Sequence, residues 1–405
     1  MINKTFDLTY DPQADYLQLN SPVGTNGIQD IRRYANGYAK ATVTLLDYAA
    51  QSNEISSIDM LVYPILFCAR HALELYLKDA ILHLTKIRNN NKINLTEIEH
   101  IHDINKIWGK FKDIAAITDR RYLSIINKLS EYVDDFTQVD PTGQVFRYPK
   151  DNQNTLHLQG LPFINLNRFG QRFGDLSKIL TELNMLGREL TEEYSLGTYT
   201  KHLSRHDLEV IAKRLPSKET WSNCEFDIVK QSIRQEYQLG SRAFTEALNI
   251  IQKHRAFASE IGMELPLKYA TTSTFITFLQ IIDKLCPQRD LKNQGAVRFL
   301  DINLQDLMES NRRFGDCINS CKTLLSSYEI VEVLAIYELG KSLHGHCELY
   351  EVFIDEQLRM ITTEPEAHLR LYLSKNNLKE FIKQGLKQLG QSKILLQIST
   401  QDSMS

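Results

Sequence analysis

The segment that decides the fold runs from Tyr63 to Lys78 and reads YPILFCARHALELYLK. It lies in a stretch, about 57–84, whose first half is apolar nearly all round, which predicts a central and buried helix. At 100° per residue, four polar side chains share one stripe about 100° wide on this apolar helix: Arg70, His71, Glu74 and Lys78. Because burying an unpaired charge costs several kcal/mol, the stripe must pair internally, meet charged partners or line a cavity.

Two interpretations of this stripe stay open. The i,i+4 spacing of Arg70 with Glu74, and of Glu74 with Lys78, predicts a structural ion-pair ladder that can also bond a loop. Alternatively, the stripe is a phosphate-handling site in which His71 is the general acid/base. In that site Arg70 and Lys78 stabilise the negative charge that develops in the reaction.

Apolar residues at three- and four-residue steps predict helices along most of the chain, so we expect an all-α protein. In the first half, the predicted helices cover about 28–50, 57–84, 102–116, 119–137 and 167–194. In the second half, they cover about 225–236, 241–260, 270–285, 301–324, 328–345, 347–360 and 376–389.

Composition divides the chain into four parts. We expect an irregular lead-in, a helical bundle, a basic linker and a second helical domain, at 1–25, 26–196, 197–222 and 223–405. The bundle carries an insertion that starts at Asp140 and contains three of the ten prolines. Around its Gly160–Pro162 turn, residues 155–158 and 163–166 predict two short strands, which would form a small β-hairpin.

The insertion begins with DPTGQVFRYPKD, residues 140–151, which we call the FRYP loop. Within it, Arg147 stands between two aromatic residues. We expect Arg147 either to pair with Glu74 or Asp140 and fix the loop to the bundle, or to close over a phosphate near His71. In the second case Arg147 is a catalytic residue that stabilises the developing charge together with Arg70 and Lys78.

Three motifs together resemble a known family. YPILFCARHALELYLKDAI (63–81), HDINKIW (102–108) and the FRYP loop are similar to the pattern YPxLFLxRHALELxLK, HDLxxLW and DPxGxxFRYP. That pattern occurs in bacterial proteins with HEPN-like helical domains, many of them close to mobile-element defence loci. The resemblance implies a helical bundle that often dimerises.

The same resemblance implies an activity with one departure. Active HEPN domains cut RNA without a metal, through an Arg and a His four to six residues apart on one helix. Here Arg70 and His71 are adjacent, and no Arg precedes a His at that spacing anywhere in the chain. Neighbours on a helix diverge by 100°, so the resemblance supports the fold better than the ribonuclease activity.

Further candidate binding residues flank the stripe and the predicted linker. Glu74, Asp140 and Tyr148 would complete a binding set around the phosphate. In 201–218, five cations oppose two acidic residues. Lys201 and Arg205 are therefore candidate contacts to an RNA backbone, although a solvated linker explains the same charges. His102–Asp103 precedes a predicted helix and is expected to cap it.

We predict no metal and no cofactor. Cys317 and Cys321 form an i,i+4 pair that could bind zinc together with His344, His346 and Cys347. The usual close CxxC pairs are missing, however, and the segments read as apolar helices. Ordinary core cysteines and surface histidines are therefore favoured.

Charge and hydropathy restrict the compartment and the partners. The 47 Lys and Arg residues nearly balance 50 Asp and Glu residues, so no global field attracts nucleic acid or a membrane. The most apolar run, Met60 to Ala69, is too short for a hydrocarbon layer of about 30 Å. With no targeting segment recognised, we expect a cytoplasmic protein without a membrane partner.

Three functions remain open at this point. The first is a metal-independent endoribonuclease, a toxin or effector in bacterial defence against phage. The second is a catalytically silent HEPN-like module that binds RNA or a protein from the same operon. The third is a helical assembly protein whose polar stripe is structural. In each case we expect a homo-oligomer.

Overall fold

The computed structural model describes residues 21–27, 30–52, 54–87, 95–285, 304–342 and 345–402. All regular elements within these ranges are helical, which confirms the all-α expectation. The chain divides into two compact units, Met1–Ser195 and Leu196–Ser405. Most of the predicted lead-in, together with Cys286 and His344, lies outside the described residues.

The first unit contains six α-helices within its described ranges. They are α1 (Ile31–Gln51), α2 (Ile55–Lys86), α3 (Leu95–His100), α4 (Ile104–Thr118), α5 (Tyr122–Val139) and α6 (Leu166–Ser195). As predicted, the Asp103 side chain caps α4 and accepts a hydrogen bond from the Lys106 amide at 3.2 Å.

Helix α2 is the centre of the first unit. It packs against α1, α4 and α6, and it buries Leu73, Leu77 and Ile81 completely. By length and composition, α2 alone among the described helices could cross a membrane, although half of its most apolar window is buried within the protein. Core helices of water-soluble proteins meet the same criteria, and four charged residues of α2 are buried in this unit.

The insertion between α5 and α6 is a loop without the predicted β-hairpin. Within its described residues the strand-like contact is a single antiparallel bridge between Lys150 and Leu156. The chain reverses earlier than predicted, because the Asp151 carboxylate accepts hydrogen bonds from the Gln153 and Thr155 amides at 2.8 and 2.9 Å. A side chain that bonds nearby amides competes with strand pairing for those donors.

The second unit contains the remaining described helices. They are α7 (Arg205–Arg214), α8 (Cys224–Glu236), α9 (Ser241–Lys253), α10 (Arg255–Glu260), α11 (Thr272–Asp283), α12 (Leu304–Leu324), α13 (Ser327–Lys341), α14 (Tyr350–Thr363), α15 (Pro365–Leu373), α16 (Leu378–Gln388) and α17 (Ser392–Asp402).

The segment 197–222, which we expected to be a basic linker, is part of this second unit. Its helix α7 begins with a capping box between Ser204 and Asp207. Leu208 and Ile211 of this helix are fully buried in an apolar cluster with residues of α8 and α9. Charges on one face concealed an apolar face, so the linker prediction was wrong.

Helix α13 is the core helix of the second unit and packs against α14 and α16. Where α13 crosses α16, two glycines bring the backbones together. A Cβ atom at Gly340 would lie 1.9 Å from the Phe381 carbonyl oxygen, and one at Gly385 would lie 2.0 Å from the Ile336 oxygen. Both positions therefore require glycine.

Candidate functional site

The polar stripe of α2 forms one ion network around Glu74. Arg70 donates through Nη1 to Glu74 Oε2, and Lys78 Nζ donates to Oε1 at 2.9 Å. His102 Nδ1 lies 2.9 Å from the same Oε1, and His71 Nδ1 lies 3.9 Å from Oε2. The predicted ladder of Arg70, Glu74 and Lys78 is confirmed.

Arg70 also fixes the FRYP loop to the bundle. Its Nε donates to the Asp140 carbonyl at 3.2 Å, and its Nη2 donates to the Pro141 carbonyl at 2.8 Å and to the His102 carbonyl. Together with the Glu74 bond, these contacts occupy four of the five guanidinium N–H donors. Arg70 is 2% exposed, so its charge is satisfied inside the protein.

The loop is shaped to receive this guanidinium. The buried Asp140 Oδ1 accepts hydrogen bonds from the Gly143 and Val145 amides at 2.7 and 3.2 Å, which turns the backbone. Gly143 has a φ of +79°, and a Cβ atom there would lie 2.9 Å from Arg70 Nη1. Only glycine allows both that conformation and that approach.

Glu74 is ionised in this network. Burial alone would raise the pKa of its carboxyl group, but the nearby His71 ring, hydrogen bonds from Lys78 and His102 and the charge of Lys78 hold that pKa well below its usual range. The network thus contains a carboxylate with a cation on either side, the arrangement that makes a buried charge tolerable.

This geometry corrects the roles predicted for four residues. Arg70 and Lys78 are interior links, and Lys78 also donates to the Glu99 carbonyl at 3.0 Å. Glu74 and Asp140 are buried and bonded within the protein, so they do not form a binding set for a phosphate. A phosphate that contacted Arg70 or Lys78 would have to displace one of these existing bonds.

His71, in contrast, belongs to a partly exposed surface. Its ring stacks on Phe67 with centroids 5.7 Å apart, and Tyr38 meets it edge-on at 4.5 Å. The guanidinium carbon of Arg147 lies 5.6 Å from the Phe67 ring centre and 5.8 Å from that of Tyr148. We call Tyr38, Phe67, His71, Arg147 and Tyr148 the aromatic–cation face.

Arg147 is the cation of this face. It is exposed, and its Nε donates to the Gly143 carbonyl at 2.6 Å. The expected pairing with Glu74 or Asp140 is not formed. Its two terminal nitrogens have no hydrogen bond or ion pair with a described residue, and the neighbouring Tyr148 is 54% exposed. The face therefore presents donors and rings to solvent.

The basic strip at 201–218 is largely neutralised within the second unit. Arg205 donates to Glu348 through Nε at 2.7 Å and through Nη2 at 3.2 Å, with little of its side chain exposed. Lys213 pairs with Glu209 at 2.6 Å. Lys201 lies on the surface before α7. Arg205 is therefore an internal link, and the strip is not a continuous cationic surface.

One cluster in the second unit was missed. His254 Nε2 lies 2.9 Å from Glu348 Oε1 and 3.4 Å from Cys347 Sγ, and Sγ lies 3.7 Å from Glu348 Oε2. Burial, with a smaller contribution from the Glu348 charge, raises the pKa of the Cys347 thiol to about 12. For Glu348, burial alone would raise the carboxyl pKa, but His254 and Arg205 hold it well below its usual range.

The sequence grouped Cys347 with a different set of possible ligands, namely Cys317, Cys321, His344 and His346. Cys317 and Cys321 are core residues of α12, as expected for ordinary cysteines. His254 starts a six-residue helix, where its Nδ1 caps the Phe257 amide at 3.4 Å. His254 and Cys347 are 93 positions apart, so no local motif joins them.

No protein family, no curated protein and no solved structure matches this chain at a significant level. The HEPN-like expectation is therefore carried by the three sequence motifs alone.

An apolar cleft in the first unit was also missed. The cleft, of about 450 Å³, lies between the FRYP loop, α5 and α6, with Phe146 and Phe169 in its lining. Phe163 and Arg168 stand at this cleft, and Phe163 is 89% exposed. The prolines and glycines of the insertion gave no periodic pattern from which these positions could be predicted.

Proposed function

We propose that this protein is a catalytically silent helical module of HEPN-like type that binds single-stranded RNA through the aromatic–cation face. The observation that supports the proposal is the position of Arg147, an exposed guanidinium between the Phe67 and Tyr148 rings with its terminal N–H groups unoccupied by described residues.

The stripe itself supports binding without cleavage. Metal-independent cleavage needs a cation that stabilises charge on the phosphate and a titratable group beside it. Arg70 and Lys78, the cations next to His71 on α2, already bond Glu74 and backbone carbonyls. The cations of α2 that lie within two turns of His71 are thus already bonded, and both His71 and Arg147 pack on the Phe67 ring.

The exposed rings favour a single strand over a duplex. Unpaired bases stack on aromatic side chains and on the plane of a guanidinium, which gives about 1–3 kcal/mol per base. A guanidinium beside the rings can donate two parallel hydrogen bonds to a phosphate. On this proposal, a role in phage defence would act through capture of RNA, or through a protein from the same operon, and not through cleavage.

The test is the anisotropy of a fluorescent single-stranded RNA oligonucleotide titrated with the full chain in EDTA. Arg147→Ala and Tyr148→Ala should each weaken binding about 5- to 100-fold, the range that one lost stack produces. The Arg147→Ala variant should also make the negative slope of log K against log salt shallower by about 0.7, as expected for one lost phosphate contact.

Lys178→Ala is the matched control. Lys178 is an exposed cation of the same unit that pairs with Asp175 at 2.9 Å, so its removal changes the net charge equally. Its affinity should stay within twofold of wild type. Equal losses in Lys178→Ala and Arg147→Ala would reduce the binding to bulk electrostatics and overturn the proposal.

The same samples, run on a denaturing gel, test whether the protein cleaves RNA. The RNA should remain intact with wild-type protein. Cleavage that His71→Ala abolishes would replace this proposal by the ribonuclease hypothesis. Undetectable binding by wild type would leave the third function, an assembly protein with a structural stripe.

A further inference from the structure

We infer that His254, Cys347 and Glu348 form a zinc site in the second unit, with three protein ligands and one open position. The site involves no residue of the aromatic–cation face and does not depend on the proposed RNA binding. Thiolate, imidazole and carboxylate are the three ligand types that zinc takes in proteins.

The spacing of the ligand atoms fits a tetrahedral ion. Zinc lies about 2.0 Å from nitrogen or oxygen ligands and about 2.3 Å from sulfur, so its ligand atoms stand about 3.3–3.5 Å apart. The observed separations are 3.4 Å from Nε2 to Sγ and 2.9 Å from Nε2 to Oε1, and one ligand atom of each residue lies within 4.8 Å of the other two. An ion can therefore enter with ångström-scale adjustments of the three side chains.

The surroundings hold the ligands in place. Arg205 donates to both oxygens of Glu348, at 2.7 and 3.2 Å. Outer hydrogen bonds of this kind orient metal ligands and raise metal affinity. Two anionic ligands, a neutral imidazole, Arg205 and Zn²⁺ sum to one positive charge, which a hydroxide in the open position would cancel.

The cluster borders a surface groove at His254. This shallow groove along α9 is lined by Asn249, Ile250, Lys253 and His254. On this proposal, the ion and its fourth ligand, a water molecule, enter from the groove at His254.

Metal binding must account for two protons. The Cys347 thiol releases its proton to the buffer when the Sγ–Zn bond forms. His254 Nδ1 accepts from the Phe257 amide, so Nε2 carries the ring proton; zinc takes Nε2, and that proton moves to Nδ1. The capping contact, already long at 3.4 Å, is lost. One proton is therefore released for each zinc bound.

The experiment titrates the EDTA-stripped full chain with Co²⁺ and then with Zn²⁺. We expect one Co²⁺ per chain, a thiolate-to-cobalt charge-transfer band in the near ultraviolet, displacement by one equivalent of Zn²⁺ and release of one proton. Cys347→Ser should lose the band and bind Zn²⁺ at least tenfold more weakly.

Cys224→Ser is the matched control, because Cys224 is an exposed cysteine of the same unit. It should keep the band and the affinity. If circular dichroism shows that Cys347→Ser does not fold, the zinc affinities of His254→Asn and Glu348→Gln replace it as the test. Asparagine retains a capping oxygen, and glutamine retains an oxygen for Arg205. Each of these variants should weaken zinc binding at least tenfold.

Three results would overturn the inference. The first is a wild-type chain that shows no charge-transfer band. The second is a band that disappears in Cys224→Ser. The third is zinc affinity that is unchanged in folded variants of the three ligands.

Discussion

Replacing Arg70 by methionine tests whether the stripe of α2 holds the FRYP loop on the bundle. The substitution removes the bonds to Glu74 and to three backbone carbonyls, and it leaves these acceptors buried. Breaking a buried ion pair from one side costs about 3–5 kcal/mol. Because Lys78 still neutralises Glu74, we expect the lower end, about 3 kcal/mol, or a Tm lower by about 6–12 °C.

The assay is urea unfolding followed by tryptophan fluorescence. The chain has two tryptophans, Trp108 in the first unit and Trp221 in the second. In a Trp221→Phe background, the emission of the buried Trp108 reports the first unit alone. Arg172→Met is the control: this partly exposed Arg pairs with Asp135, and its loss should cost less than about 1 kcal/mol.

One result would refute the reasoning. If Arg70→Met unfolds within about 1 kcal/mol of its parent and with the same urea dependence, the carbonyls are satisfied without the guanidinium. The loop would then be held by its apolar contacts, and the buried charges would contribute little to its position.

Two further predictions concern the same network. Gly143→Ala should cost about 2–3 kcal/mol of unfolding free energy in the urea assay, since it adds a clash with Arg70 to backbone strain; Gly160→Ala, with a φ of +88° and open space, should cost only about 1 kcal/mol. Because the folded-state pKa of Glu74 lies below the unfolded value of about 4.3, its ionisation contributes stability that is present above that pH and lost as the pH falls below it. Glu74→Gln should therefore lower the urea midpoint at pH 7 and flatten its decline between about pH 5 and 2, whereas a decline as steep as in wild type would show that other carboxylates cause it.

Periodicity predicted the long helices well and the short ones poorly. The second helix, expected at about 57–84, spans Ile55–Lys86, because its apolar pattern continues over many turns. Helix α3 has six residues and α15 has nine, too few turns for a period to stand out. Helix α7 was missed because its cations were interpreted as solvated, whereas tertiary packing buries the opposite face.

The candidate site was predictable only where it is local. Spacing on one helix is enough to pair Arg70 with Glu74 and Lys78. It does not show that backbone carbonyls of a distant loop take the remaining donors of Arg70, because their positions depend on the path of that loop. For the same reason, the meeting of His254 with Cys347 follows from the packing of α10 against the start of α14 and from no motif.

The glycine contact between α13 and α16 has a consequence for the core packing of the second unit. At this crossing the two helix backbones are in direct contact, with no side chains between them. A single added methyl group would therefore force the helices apart. That separation would displace the leucine and isoleucine side chains along both helices from their packing positions. The two glycines of this helix pair thus determine which large apolar side chains of α13 and α16 contact each other.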